Sequence, residues 1–465
     1  MSDVRPVIAE FPARLGELAE ILSRRRIGVG VDTRGQLVMA RPDSIQVEFD
    51  GDTAHRRSVI ELVNQIGGDN EGVDLEDAED TGVLTVQVPA GMGDAGSEPR
   101  WRLDGLDSAI ARFTSNGIRA DLNHVVFGAH STIPRMLGGA LMASSAAPPS
   151  SSTTIMTPEN KAVLITTAQP ATAPRHLRER LDLDGHRRPR VLIIDTGLRT
   201  ASEGEENIPE HAFLRSPDPL QPRVQLHPDW QANPEVEALD DEDEPDDDRS
   251  GLLDFEAGHG TFITGIVRQI CPDAIVYPAG VLSSFGEGSL GRVRSTIWRM
   301  SKSCGPFDIV VMSFGTFCTN DEPGLLRTWM PRLLGDAVGV AAAGNLQSCR
   351  PYFPAALPGV IGVGGLDRGG PAWFSNFGSW VDACAPAVNV VSTFFNDITE
   401  THDGRAQRRF REWARWSGTS FAAPKVAGAI AQEMYVSQVS AKEAWRRLSS
   451  TDRLRMPDLG VVFNV

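Results

Sequence analysis

The stretch Ser417-Gly418-Thr419-Ser420-Phe421-Ala422-Ala423-Pro424 could present a nucleophile. It reads as a tight turn feeding a helix. Gly418 lets the backbone bend sharply, and Pro424 suits a first helical turn, where a missing N–H does little harm. The small apolar residues that follow, through Ala431, suit a helix buried on all sides. A serine at such a helix start has its hydroxyl at the tip, beside backbone N–H groups ready for developing negative charge. Alone, the stretch would be a Ser/Thr cap on a core helix. Two motifs upstream change that reading. Arg190-Val191-Leu192-Ile193-Ile194-Asp195-Thr196-Gly197 is a buried-strand run ending in an acid and a glycine. Gly258-His259-Gly260-Thr261-Phe262-Ile263-Thr264-Gly265 sets a histidine between glycines at the head of an apolar-periodic helix. Ser420, His259 and Asp195 together supply a nucleophile, a general base and a carboxylate to orient it.

The order Asp, His, Ser and these motifs resemble the subtilisin-like serine proteases, over roughly residues 185–440. On that resemblance His259 takes the proton of Ser420 and later gives it to the leaving amine, tasks suited to an imidazole of pKa about 6.5. Asp195 holds the imidazole in its tautomer, and Thr196 and Gly197 shape the turn that presents it. Ala341-Ala342-Ala343-Gly344-Asn345 resembles the family segment whose asparagine amide points at the oxyanion, with the backbone N–H of Ser420 as second donor. Val311-Met312-Ser313-Phe314-Gly315 resembles the strand that pairs with substrate backbone, so Ser313, Phe314 and Gly315 are candidate substrate contacts. Tyr352 stands at a pocket-wall position that is often glycine in the family. The segments Val360–Gly364, Phe374–Gly378 and Val381–Pro386 are family scaffold. Phe262 and Lys425 stand where the family often has further histidines, outside the triad.

A lipase or esterase would require Gly-x-Ser-x-Gly, which Ser420 lacks. A binding protein built on the same scaffold need not keep Asp195, His259, Asn345 and Ser420 together. The reading is therefore a serine endopeptidase acting on protein or peptide substrates.

The net charge of −16 opposes general affinity for nucleic acid or anionic membranes. Much of the acid lies in Leu239–Asp248, which reads as a solvated loop. Calcium is frequent in the family, but this spacing matches no defined ligand loop, so no cofactor or metal is assigned. No hydrophobic signal core follows Met1, and no apolar run is long enough to span a bilayer. Five scattered cysteines fit a reducing compartment better than a disulfide framework, so the expectation is cytoplasmic. Cys318 and Cys349 are the one pair that neighbouring strands could bring together, with separate thiols favoured.

The chain, 465 residues long, is too long for one ordinary domain. Residues 10–25 read as a short helix, followed by apolar stretches at 27–31 and 36–40 around the turn-like Asp32-Thr33-Arg34-Gly35. A strand at 45–49, a helix at 57–66, a strand at 83–88, a helix at 106–116 and a strand at 122–127 then give a β-α-β-α-β rhythm. That rhythm predicts a smaller α+β, ferredoxin-like domain over 1–142. Residues 143–158 have linker composition. Over 159–465, apolar strands at 191–194, 275–281, 308–313, 338–342 and 360–363 alternate with helices. They predict an α/β fold, a parallel sheet between two helical layers, which the resemblance makes a three-layer subtilisin-like catalytic domain. Family members commonly carry an α+β propeptide whose tail occupies the active site. His124–Phe127 followed by an extended Gly128–Ser131 suits such a tail, so the N-terminal domain is expected to be an intramolecular inhibitor, cut between Gly128 and Met156 or retained as a regulatory domain.

Overall fold

The computed structural model describes residues 22–66, 75–89, 103–128, 168–200, 209–216, 223–225, 251–368, 370–402 and 405–465. The acidic run 239–248, the linker 143–158 and most of the predicted first helix lie outside them. The chain divides into two compact units. The first holds residues up to Val126 with Gly288–Arg299 and Thr316–Gly335, and the second holds Phe127–Glu287, Met300–Gly315 and Asp336–Val465. Two stretches of the region 159–465 are thus built into the first unit.

In the first unit the two apolar stretches form a hairpin, β1 (Gly28–Val31) antiparallel to β2 (Leu37–Glu48). Asp32 closes its turn by accepting the N–H groups of Arg34 and Gln36, both at 2.9 Å. β2 merges the apolar stretch at 36–40 with the strand expected at 45–49 into one strand. Its far half pairs antiparallel with β3 (Val83–Gln87), and β4 (Ala120–Gly128) pairs antiparallel with it on both sides of a register shift between Ala40 and Ile45. Three helices accompany the strands: α1 (Thr53–Ile66), α2 (Leu75–Thr81) and α3 (Asp104–Ser115). Alternate residues Ile45, Val47, Leu84 and Val86 meet Val59, Val63 and Ile66 of α1 and Leu106, Ala109 and Phe113 of α3 in one core. Period two on the strands meets period three to four on the helices, as one-sided burial requires.

The second unit is organised by a sheet with seven parallel strands. In chain order they are β5 (Arg190–Asp195), β6 (Ile275–Gly280), β7 (Ile309–Met312), β8 (Val338–Ala342), β9 (Val360–Asp367), β10 (Ala383–Pro386) and β11 (Gly460–Val462). Their spatial order is β6-β5-β7-β8-β9-β10-β11. The sheet is mixed rather than wholly parallel: Arg455–Met456 and Gly370–Pro371 add short antiparallel edges. Helices α4 (His259–Ile270) and α5 (Thr419–Ser437) pack on the sheet and on each other. Val191, Ile193, Ile309, Val311, Val340 and Val363 share a core with Phe262, Ile266, Val426 and Ile430. Their neighbours Leu192, Ile194, Val310 and Met312 are buried as well, so both faces of the sheet are covered. Strand order reverses beside β5, and ligands of open parallel sheets gather at such a reversal, beyond the carboxyl ends of the strands. Asp195 is the last residue of β5.

None of the five cysteines is in a disulfide, so Cys318 and Cys349 are not joined.

Candidate active site

Asp195 leaves the sheet at its carboxyl end, and its Oδ1 also accepts the N–H of Thr196 at 2.9 Å. Gly197 follows with φ of 95°, which glycine adopts without strain. The turn and the start of α4 are held together by Gly260 N–H donating to Thr196 Oγ1 at 2.9 Å. A Cβ on Gly260 would lie 2.1 Å from the carbonyl oxygen of Gly197, so the approach needs glycine at 260. Gly258, left-handed at φ 79°, caps the same helix. The local sequence thereby fixes His259 over Asp195: Nδ1 of His259 and Oδ1 of Asp195 are 2.6 Å apart, with both side chains buried. That distance is slightly shorter than the roughly 2.7–2.9 Å of charge-assisted N–H···O bonds. The imidazole is packed edge-on by Trp416 at 5.5 Å and tilted against Phe421 at 5.4 Å between ring centroids. Phe262 completes this aromatic cluster, 4.5 Å from Phe421.

Ser420 is the second residue of α5, next to Phe421, and is fully buried. Two expectations about its turn are corrected. Gly418 is extended, with φ 162° and ψ 156°, and makes no sharp bend. Pro424 lies in the second helical turn, four residues after Ser420. Having no N–H, it leaves the Ser420 carbonyl without a helical donor, and the Ser313 hydroxyl donates to that carbonyl instead, at 2.9 Å. The Ser420 hydroxyl in turn donates to the Ser313 carbonyl at 3.2 Å. Burial of Lys425 on the same helix pushes its ammonium pKa down to about 8.

Asn345 follows β8, and its Oδ1 accepts both the N–H and the hydroxyl of Thr419, each at 2.9 Å. Both lone-pair directions of that oxygen are taken by the residue before Ser420, which fixes the orientation of the amide. Asn376, read from sequence as scaffold, holds the same loop: its Oδ1 accepts from Leu346 and Ser348 and its Nδ2 donates to Ala343.

Phe314 and Gly315 pair antiparallel with Gly128 and Phe127, and the N–H of Gly128 donates to the Gly286 carbonyl at 2.7 Å. All five residues belong to the second unit. Tyr352 is buried, and its hydroxyl pKa is pushed well above the usual phenol value by burial first and then by the charge of Glu256. Glu256 is the residue that sequence reasoning missed. It is fully buried, and its Oε2 lies 3.5 Å from Nε2 of His259. Only its place one helical turn before His259 could have signalled it. Among the described residues no cluster of three His, Cys, Asp or Glu is arranged to hold a metal ion, and no helix is long and apolar enough to cross a membrane.

Residues 187–449, more than half of the chain, match the family model described as "Subtilase family". The chain belongs to the subtilase family. Similar subtilases include the "Thermophilic serine proteinase" of Bacillus sp. strain AK1, 31% identical over 37% of this chain and 41% of that protein. The "Cuticle-degrading serine protease" of Arthrobotrys oligospora is also 31% identical, over 40% of this chain and 44% of that protein. The chain thus spans less than half the length of either relative. A solved structure described as "Crystal Structure of a Lanthipeptide Protease" aligns with TM-score 0.41 and 19% identity, over 60% of this chain and 85% of that one.

Proposed function

We propose that this subtilase is a serine endopeptidase using Ser420, His259 and Asp195, with Asn345 at the oxyanion. The observation that carries the reading is the buried Asp195–His259 pair at 2.6 Å, beside the helix start that bears Ser420. His259 removes the Ser420 proton as Oγ attacks the scissile carbonyl carbon. The negative oxygen that forms is met by Nδ2 of Asn345 and the N–H of Ser420. His259, held by Asp195 in its charged form, gives the proton to the departing amine. Water, deprotonated by the same imidazole, then releases the acyl group from Ser420.

We also read the N-terminal α+β unit as ferredoxin-like and inhibitory. The support is the segment Phe127–Gly128, which lies on Phe314–Gly315 and on Gly286 as an extended peptide substrate would. Held by the same chain, it competes at high effective concentration. The cytoplasmic location, a chemistry without metal, and a lack of nucleic-acid or membrane partners remain parts of this reading.

The test is labelling of the full chain with a fluorophosphonate probe, with the adduct located by peptide mass mapping. Label on Ser420 that disappears in Ser420→Ala and His259→Ala is expected. Equal labelling of Ser420→Ala would sink the assignment.

A further inference from the structure

Gly128 is held on two sides, opposite Phe314 on one and donating to Gly286 on the other. A peptide substrate crossing the same place would carry a side chain where Gly128 has none. A Cβ built on Gly128 would lie 2.8 Å from both Cδ and Oε1 of Glu256. Gly286 borders the same carboxylate, since a Cβ there would be 2.4 Å from Glu256 Cγ. Glu256 in turn reaches to 3.5 Å from Nε2 of His259, so this position is next to the proposed general base.

We propose that Glu256 selects a lysine or arginine at the substrate residue that takes the place of Gly128. The inference rests on the peptidase reading above and names a residue preference within it. The atoms an incoming side chain meets are the outer side-chain atoms of Glu256, Cγ, Cδ and Oε1, which a rotation can withdraw. The carboxylate stays in a buried surrounding, where charge interactions are screened far less than in water. A cationic side chain gains a partner there, an acidic one is repelled, and an apolar one displaces the carboxylate without compensation. Glycine leaves Glu256 where it is. The chain's own segment therefore fits the site without offering the side chain that the site would prefer.

The test exchanges charge within the full chain. Gly128→Lys, Gly128→Glu and Gly128→Ala are combined with native Glu256, with Glu256→Gln and with Glu256→Lys, and the rate of fluorophosphonate labelling at Ser420 is measured. With native Glu256, the Gly128→Lys chain should label at least about tenfold more slowly than the Gly128→Glu chain, because the pairing holds the segment in place. Glu256→Gln should remove that difference and Glu256→Lys should reverse it, with Gly128→Ala reporting the effect of bulk alone. Equal rates for Gly128→Lys and Gly128→Glu, with label on Ser420, overturn this inference and leave the peptidase reading intact. Failure of Ser420 to label in every variant overturns the peptidase reading, and this inference with it.

Discussion

The ring of Tyr352 covers Gly315: a Cβ on that glycine would lie 2.3 Å from Tyr352 Cε1, and one on Gly344 would lie 2.9 Å from Cδ1. Two glycines, one beside the candidate substrate strand and one before Asn345, thus give up their side-chain space to one phenol. If this is the pocket for the residue before the scissile bond, it is short. Peptide libraries should disfavour Phe and Tyr there by roughly 1–3 kcal/mol, the usual cost of overpacking. Tyr352→Ala should relieve that penalty, at a loss of stability of about 3–5 kcal/mol for an emptied aromatic site. Cleavage by the wild type mainly after Phe or Tyr would contradict the assignment.

The clamp of Thr419 on Asn345 lets the proposed contact of Asn345 with the reacting oxygen be separated from the positioning of that contact. Asn345→Ala should lower kcat by about 10²–10³ and leave KM nearly unchanged, because its hydrogen bond strengthens only in the transition state. Thr419→Val keeps the backbone N–H and loses only the hydroxyl, so a smaller fall in kcat is expected. Thr419→Ser, which restores the hydroxyl, should recover most of it. Loss of activity in Thr419→Val that Thr419→Ser does not recover would point to packing of the methyl group instead.

The sheet was legible because β5, β7 and β8 are buried on both faces and read as continuous apolar runs, while Asp195 and Asn345 sit where such runs stop and His259 opens an apolar-periodic helix between two glycines. The hairpin Ile398–His402 with Arg405–Phe410 was not legible. Its second strand is rich in arginine: only Phe410 among its described side chains is buried, in the core, while Arg408 is half-buried and pairs with the buried carboxylate of Glu400, 2.7 Å from Nη2 to Oε1. Glu256 was hidden for a related reason. A single acid between Phe255 and Ala257 has no periodicity of its own, and its place depends on Gly128 and Gly286, distant in sequence.

His211 supplies a pH-dependent term in stability. Its Nδ1 accepts the N–H of Phe213 at 3.0 Å, and its ring packs edge-on against Trp413 with centroids 5.0 Å apart. Burial, the largest cause, pushes its pKa down to about 4, with the nearby Arg215 acting in the same direction. The folded state therefore favours the neutral ring. The stability this contributes is complete above the unfolded value of about 6.5 and is lost as pH falls from there towards about 4. At pH 5 the loss relative to pH 7 should be about 2 kcal/mol. In His211→Asn the side-chain oxygen replaces Nδ1 as acceptor and cannot be protonated in this range. Denaturant unfolding at pH 7 and pH 5 should show a smaller difference for that variant than for the wild type. Equal differences would assign the acid sensitivity to other groups.

The first unit contains a buried ion pair that bears on whether the N-terminal domain is shed. Arg294, from the stretch Gly288–Arg299, donates Nη2 to Asp77 Oδ2 of α2 at 3.0 Å and Nη1 to the carbonyl of Val83. Both residues are at most 3% exposed. Removing one partner leaves the other charge buried, so Arg294→Ala and Asp77→Ala should each cost about 3–5 kcal/mol. The double change Asp77→Leu with Arg294→Met should recover much of that, because neither charge is left behind. The pair joins α2 to a segment of chain far beyond residues 143–158, so cutting that stretch should not free the N-terminal fragment. Limited proteolysis followed by size-exclusion chromatography should show the fragment of about residues 1–142 co-eluting with the remainder in the wild type, and dissociating in Arg294→Ala. Release from the wild type on cutting alone would favour a domain removed on activation. Co-elution would favour a permanent regulatory domain, with inhibition lifted by displacement of Phe127–Gly128.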